Sequence, residues 1–325
     1  MARPRPRPVG RAEWLIDRAL RSYAVLAYLF LFVPIAVVVI FSFNAGRHAA
    51  ELLGFSTRWY ESAWSNVFVL KALRNSLLIA TSTMILATVL GTTSALALES
   101  SRGRLKAAFE QLTYVAIIVP GIVIGIAALL FLVTAFSWLN PWLAYFAPES
   151  PPRLGLGAHS VVATHTLFTM AIVNVLVRTR LRGMDRALIE ASADLYASPW
   201  RTFRQVTFPQ LLPAIVGGAL LAFTFSFDDF IVAFFTAGQD QTLPIYLFAS
   251  IRRGVTPEAN AIATVLLAVT IGSMVVTGLL IRRSRAVGPV DPARALAAAA
   301  GGAGGGRAGS GSTAAAVPGV AVVPE

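Results

Sequence analysis

Six long runs of apolar residues divide the chain, and within them hydrophobic side chains occupy nearly every position instead of a single helical face. This pattern is typical of helices embedded in lipid, which meet hydrocarbon or other helices on all sides. A bilayer is spanned by about 20 residues of α-helix, and each run is near or above that length. The runs are 23–43, 77–98, 112–136, 158–177, 213–235 and 261–281. The pattern predicts an all-α integral membrane protein with about six transmembrane helices.

Charged residues lie between the runs and are shared unequally between the two sides of the predicted membrane. Most of the 27 Lys and Arg residues lie before the first run, between the second and third, between the fourth and fifth, or after the last. Loops rich in Lys and Arg stay in the cytoplasm, so both termini are predicted to be cytoplasmic. The net charge of +11 therefore follows from topology, and it does not indicate a nucleic-acid partner.

The same pattern predicts three segments. A basic cytoplasmic segment covers 1–22, and a transmembrane domain covers 23–281, with a long cytoplasmic loop at 178–208. The tail, 282–325, is rich in Ala and Gly and has no amphipathic pattern, so it is predicted to be disordered. Between the first two runs, the stretch STRWYESAWSNVFVLKALRNS predicts a short interfacial helix outside the membrane that runs into the second span.

Residue types that carry out catalysis or hold metals are few. The chain has no cysteine, and its three histidines, His48, His159 and His165, lack the spacing of metal ligands. A phosphate-binding loop needs a lysine that follows a glycine, and both lysines, Lys71 and Lys106, follow leucine. No nucleophile–base constellation is present in the sequence. We therefore expect no catalytic residue, no metal site and no cofactor bound by this chain.

The loop 178–208 has the pattern of a helix–turn–helix. Asp185 is a good N-cap for a helix through RALIEASADLY, and Ser198 followed by Pro199 is typical of a second helix start. Small side chains surround Glu190, so another surface could approach closely there. By spacing alone, the loop is compatible either with docking to a partner or with a solvated loop that stabilises itself.

The stretch EASADLYASPWRTFRQVTFPQLLPAI resembles the cytoplasmic coupling motif of ABC importer permeases, which runs Glu-Ala-Ala, then Gly, then Ile-x-Leu-Pro. Tyr196 stands where that motif has Gly, and a Tyr in a left-handed turn costs on the order of 1 kcal/mol. Either the turn is strained or the first helix ends differently. The resemblance implies that the loop docks into a groove of a cytoplasmic ATPase. The implied coupling residues are Glu190, Ala191, Ser192, Asp194, Tyr196, Pro199 and Pro209.

The resemblance extends over nearly the whole chain before the tail. FTFSFDDFIVAFFTAGQDQTLPIYLFASIRRGVTPEANAIATV is similar to the fifth and sixth spans of spermidine/putrescine permeases, and RWYESAW and ALRNSLLIAT resemble an earlier part of that family. This implies a permease of the second subunit type in the bacterial inner membrane. The implied partners are a second permease that forms a heterodimer with this chain, two copies of an ABC ATPase that bind ATP and Mg, and an external binding protein.

Two adjacent carboxylates, Asp228 and Asp229, are the only Asp, Glu, Lys or Arg residues inside the six runs. A carboxylate at the centre of a spanning helix costs about 2.5–3.5 kcal/mol, so a lipid-facing position is disfavoured. One interpretation is that a carboxylate lines the translocation path and meets an ammonium group, aided by aromatic cation–π contacts. The other is an internal network with His165, which a count along the helices places at about the same depth. The first is favoured, without a choice between the aspartates, and its predicted path residues are Asp228, Asp229, Phe223, Phe227, Phe230 and His165.

Three other functions remain compatible with the composition. An ABC permease for another small solute has the same pattern. A secondary transporter often has inverted repeats, but no internal repeat is visible in this sequence. A membrane enzyme could use the acidic pair, but no catalytic constellation accompanies it.

Overall fold

The computed structural model describes residues 11–47, 51–146, 149, 153–254 and 256–286. These residues form helices and no β-sheet. The helices are α1 (Arg11–Ser42), α2 (Arg58–Ser65), α3 (Val67–Ser100), α4 (Arg104–Ile118), α5 (Gly121–Phe146), α6 (Ala158–Arg182), α7 (Arg186–Asp194), α8 (Pro199–Thr202), α9 (Phe208–Asp228), α10 (Ile231–Thr236), α11 (Leu243–Arg253) and α12 (Pro257–Ala286). A π-helical turn, Phe203–Thr207, joins α8 to α9.

Six of these helical stretches are long and apolar enough to cross a membrane: Trp14–Ser42, Val67–Ser100, Gly121–Phe146, Ala158–Arg182, Pro199–Asp228 and Pro257–Leu279. The prediction of an all-α membrane protein with about six spans is therefore confirmed, as is the short helix α2 after the first span. The predicted segment 1–22 is described only from residue 11, where α1 already begins, and most of the predicted tail lies outside the described residues.

Helices α3, α6 and α9 pack against one another and form the centre of the bundle. Small side chains make the contact close, and Ala87, Ala95 and Ala222 are fully buried in one cluster with Val173. At Gly91 of α3, an added Cβ would lie only 2.7 Å from the Cβ of Val173 in α6. Helices in lipid associate through such close packing, because hydrocarbon provides no hydrophobic force between them.

The third predicted run, 112–136, is wrong as a single span. The chain breaks between α4 and α5, where Val119 has an extended backbone before Pro120. A proline disfavours a helical conformation in the preceding residue and lacks the N–H that would continue the ladder. The third span is therefore α5, which begins at Gly121, and α4 is a separate helix packed on α6.

The fifth run, 213–235, also differs from the prediction at both ends. The helix that begins at Pro199 continues into the span without interruption and ends at Asp228. A proline ring clashes with the carbonyl four residues earlier, and the π-helical turn just before Pro209 widens the helix so that it can continue. The chain then breaks at Asp229 and Phe230 before α10.

One long helix leaves most of its surface uncovered by this chain. None of the most apolar stretch of α1 is buried, whereas more than half of the corresponding stretch of α6 is buried. In a membrane, α1 must therefore meet lipid or another subunit.

Candidate functional site

The loop between α6 and α9 forms two short helices whose ends are capped as the sequence predicted. Asp185 accepts a hydrogen bond from the Ala187 N–H at 2.9 Å, and Ser198 accepts one from the Arg201 N–H at 3.4 Å. The hydroxyls of Ser192 and Thr202 lie 2.8 Å apart and tie α7 to α8. No residue of α7 is buried, so this helix presents its side chains away from the bundle.

Tyr196 ends α7 in a left-handed conformation, with φ at 56°. The Tyr196 N–H donates to the Ala193 carbonyl, and the next N–H, from Ala197, reaches back to the Ser192 carbonyl. These two bonds are those of a Schellman motif, whose left-handed position glycine fills best. Of the two alternatives left open by the sequence, the strained turn is therefore the one observed.

The tip of the loop exposes large apolar side chains beside carboxylates. Tyr196 is 97% exposed, Leu195 is 81% exposed and Trp200 is 69% exposed. Glu190 and Asp194 are also exposed. The other predicted coupling residues are the exposed Ala191, the half-buried Ser192, Pro199 at the start of α8 and Pro209 in the first turn of α9. A compact apolar patch with charged neighbours is typical of a protein contact surface.

Replacement of Tyr196 by glycine is expected to be tolerated. Glycine removes the left-handed strain, on the order of 1 kcal/mol, and an almost fully exposed ring contributes little packing within the chain. Because the resemblance of this loop implies an ATPase partner, the measurement is ATP hydrolysis by the chain purified together with that ATPase, with Tyr196→Ala as the control that removes the ring but keeps the strain. A clear loss of coupled hydrolysis in both variants would show that the ring itself is needed at the contact.

The acidic pair lies at a break between two helices. Asp228 is the last residue of α9, and Asp229 has an extended backbone, with φ at −69° and ψ at 124°. The Asp229 carboxylate accepts the Ala233 N–H at 3.0 Å and so caps the first turn of α10. The prediction of one helix through both residues is therefore wrong, because a side chain that caps a new helix favours the break.

The two carboxylates have different surroundings. Asp229 Oδ2 lies 3.3 Å from Nε2 of His165, and the His165 side chain is fully buried. Nδ1 of the same ring lies 2.8 Å from the Ser226 hydroxyl. Asp228 is exposed and makes no side-chain hydrogen bond or ion pair with any residue that the structure describes. The internal network considered as an alternative therefore exists for Asp229 and not for Asp228.

The three phenylalanines predicted to line the path differ in access. Phe227 is 1% exposed and stacks on Phe223, with ring centroids 5.6 Å apart. Phe230 is partly buried and lies 4.6 Å from the ring of Phe248. Phe223 and Phe230 keep some exposed surface, whereas Phe227 belongs to the core.

Helix α10 is held in place beyond the break by features that the sequence did not single out. The Asp240 carboxylate accepts the Ala158 N–H at 3.0 Å and so links the loop after α10 to the start of α6. Gly238 has a positive φ of 56°, and a side chain there would collide with the backbone of Leu156. The end of α10 is thus fixed to the same helix that carries His165.

An ion pair joins two helices on the side of the bundle that carries the α6–α9 loop. Glu110 of α4 pairs with the buried Arg178 of α6, and Arg182 lies 4.0 Å from the same carboxylate. The hydrogen bond from Arg178 holds the pKa of Glu110 below its ordinary value. From the sequence, Arg178 was interpreted only as one of the basic residues that define topology. In the structure, it also joins α6 to α4 through Glu110.

An apolar cavity of about 610 Å³ lies between α4, α5 and α6. Neither aspartate lines it, and its polar contributions come from side chains such as Asn174 and Thr113. A polar cation would lose hydration there without gaining a counter-charge. The acidic break is therefore the better candidate for contact with a charged solute.

Comparison with known proteins gives a consistent result. The sequence profile described as "Binding-protein-dependent transport system inner membrane component" matches residues 87–285, which include both the loop and the acidic break. The chain is 33% identical over 265 residues to the spermidine/putrescine transport system permease protein PotC of Haemophilus influenzae, covering 81% of this chain and 96% of that protein. It is 35% identical over 262 residues to the putrescine transport system permease protein PotI of Escherichia coli strain K12, covering 80% of this chain and 88% of that protein.

Solved structures with little sequence similarity share the fold. A chain from the crystal structure of a bacterial ABC transporter involved in import of the acidic polysaccharide alginate has a TM-score of 0.63 at 12% identity, with 86% of this chain and 97% of that chain covered. A chain of the MetNI methionine ABC transporter has a TM-score of 0.51 at 15% identity, with 66% of this chain and 95% of that chain covered. These structures show that the helices have the arrangement of an ABC transporter membrane subunit.

Proposed function

This chain belongs to the family of binding-protein-dependent transport system inner membrane components, and from that premise we propose that it is one permease subunit of an ATP-driven polyamine importer. The family consists of permease subunits of ABC transporters, multi-pass proteins of the bacterial inner membrane, and not of enzymes. The relatives described above are named for spermidine and putrescine, and they match four-fifths of this chain. The observation that supports a cationic substrate is the exposed carboxylate of Asp228 at the break between α9 and α10.

The carboxylates explain a preference for a cation. Asp228 is exposed within this chain but lies in a stretch where a lipid-facing charge is costly. A charge in that position is compatible with a water-filled path or with another subunit. Polyamines carry several ammonium groups, which a carboxylate attracts and which also bind aromatic faces such as that of Phe223. An anionic solute would be repelled by the same group.

The loop α7–α8 explains how the chain obtains energy. On the proposal, the side rich in Lys and Arg faces the cytoplasm, as do both termini, and the patch around Glu190 and Tyr196 docks into a cytoplasmic ATPase. Two copies of that ATPase hold ATP and Mg. A second permease completes the path, covering part of the exposed surface of α1, and an external binding protein delivers the solute.

The proposal is tested by purification of the tagged chain from bacterial membranes with its native partners and reconstitution into proteoliposomes. We expect an ATPase and a second permease to co-purify, and we expect binding protein loaded with putrescine or spermidine to stimulate ATP hydrolysis and uptake. Glutamate and phosphate serve as anionic control solutes. Stimulation by an anionic solute alone would show that the substrate class is wrong, and absence of any co-purifying ATPase would contradict the coupling role of the loop.

A further inference from the structure

His165 contacts the chain on both sides of the helix break. Its Nδ1 lies 2.8 Å from the Ser226 hydroxyl, which precedes the break, and its Nε2 lies 3.3 Å from the Asp229 carboxylate, which follows it. Both contacts come from one fully buried ring on α6. A single side chain thereby joins the end of α9 and the start of α10 to a third helix.

Each ring nitrogen of His165 has a different polar neighbour. The Ser226 hydroxyl can donate to Nδ1, and this assignment leaves the ring proton on Nε2, the nitrogen nearest to Asp229. Nε2 makes no aligned hydrogen bond with any residue that the structure describes, so its 3.3 Å approach to Asp229 is a close polar contact. The same carboxylate oxygen, Oδ2, accepts the Ala233 N–H. The imidazole of His165 therefore contacts the same carboxylate that caps the first turn of α10.

The ring is held firmly in its own helix. The backbone carbonyl of His165 accepts the Thr169 hydroxyl at 2.6 Å, and the edge of the ring packs on Phe168. Helix α6 in turn packs closely on α3 and α9. The His165 ring therefore has little freedom to move, and it can hold the residues at the helix break in a fixed position.

We propose that His165 is a positioning residue, which acts through Asp229 to fix the break between α9 and α10 and thereby sets the direction of the neighbouring Asp228 carboxylate. This inference rests on the proposed function, in which the acidic break meets the cationic solute. His165 itself is buried and does not contact the solute. Its effect on transport is indirect.

The test replaces His165 by Gln or Asn, whose amide groups each imitate one of the two ring nitrogens. The amide of Gln reaches the position of Nε2, whereas the amide of Asn reaches that of Nδ1. In the full complex with its ATPase and loaded binding protein, His165→Leu is expected to lower putrescine uptake about tenfold, because the ring loses its buried polar contacts with Ser226 and Asp229. His165→Gln is expected to restore most of that loss, and His165→Asn is not.

A double-mutant cycle identifies the partner. The losses from His165→Leu and Asp229→Asn are expected to overlap, because both variants act on one contact. Those from His165→Leu and Asp228→Asn are also expected to overlap, because on the proposal His165 affects uptake only through the direction of the Asp228 carboxylate. The matched control is His159→Leu, the same substitution at an exposed position of the same helix, which should retain uptake. Equal amounts of co-purified ATPase show that each variant is assembled.

The outcomes separate this inference from the proposed function. Putrescine uptake by the unchanged complex tests the substrate, and its absence would remove both proposals. With uptake present, the ratios of variant to unchanged rates test His165 alone. The inference is overturned if His165→Leu keeps the unchanged rate, if His165→Gln is as poor as His165→Leu, or if the losses from His165→Leu and Asp229→Asn multiply.

Discussion

Replacement of Glu190 by alanine is expected to stop solute uptake while the protein stays folded in the membrane. Glu190 is exposed on α7, and no side-chain hydrogen bond or ion pair joins it to another described residue. Alanine favours helix, and surface substitutions of this kind change stability by only about 0.5 kcal/mol. A large effect can therefore come only from a contact outside this chain. Co-purification of the ATPase and uptake in proteoliposomes are the two measurements.

The control for Glu190 is Glu99→Ala, which removes an exposed carboxylate from the end of α3 on the same side of the bundle but outside the loop. We expect this control to assemble and to transport at the unchanged rate. Normal ATPase association together with normal uptake in Glu190→Ala would rule out a docking role for this residue.

Replacement of Gly91 by leucine is expected to prevent stable packing of the bundle. An added Cβ at Gly91 would meet the Cβ of Val173 at 2.7 Å and the backbone carbonyl oxygen of Met170 at 2.8 Å. The carbonyl belongs to α6 and cannot rotate away, so the two helices must separate. Insertion of atoms into a well-packed core costs about 1–3 kcal/mol or more. The measurement is the fraction of inserted protein that remains monodisperse after mild detergent extraction, which should fall to near background.

Gly272→Leu provides the matched control for Gly91, because a Cβ added at that position of α12 would meet no described atom within 4 Å beyond its chain neighbours and the nearby backbone of its own helix. Leucine is also a better helix former than glycine by roughly 1 kcal/mol, so the control should be at least as stable as the unchanged protein. If Gly91→Leu survived extraction as well as Gly272→Leu, the close contact between α3 and α6 would be wrong.

The membrane spans could be predicted from sequence because the length and hydropathy of an apolar run follow from its residues alone. Runs of apolar residues have few alternatives to a membrane helix, and six such helices are found. The breaks were harder to predict. Pro120 lies within an uninterrupted apolar run, and the end of α9 depends on Asp229 capping the next helix, a local contact that hydropathy does not report.

The sequence predicted which residues belong to the candidate site better than it predicted how those residues are arranged. A count along the helices placed His165 near the acidic pair, and the ring contacts Asp229. The choice between the aspartates depends on the backbone at Asp229, which only the folded chain defines. At Tyr196 the sequence left two conformations open, and the pair of hydrogen bonds that ends α7 decides between them.

The continuous helix from Pro199 to Asp228 begins just after the exposed tip of the α7–α8 loop and ends at the acidic break, so the two features are joined by one rod. Thirty residues of helix measure about 45 Å, so a tilt of about 10° around the middle moves each end by roughly 4 Å in opposite directions. No loop between the ends can absorb that displacement, and the π-helical turn near Pro209 is the one irregular segment along its length. On the proposed function, lever action of this kind would carry movement of an ATPase at the loop to the acidic break.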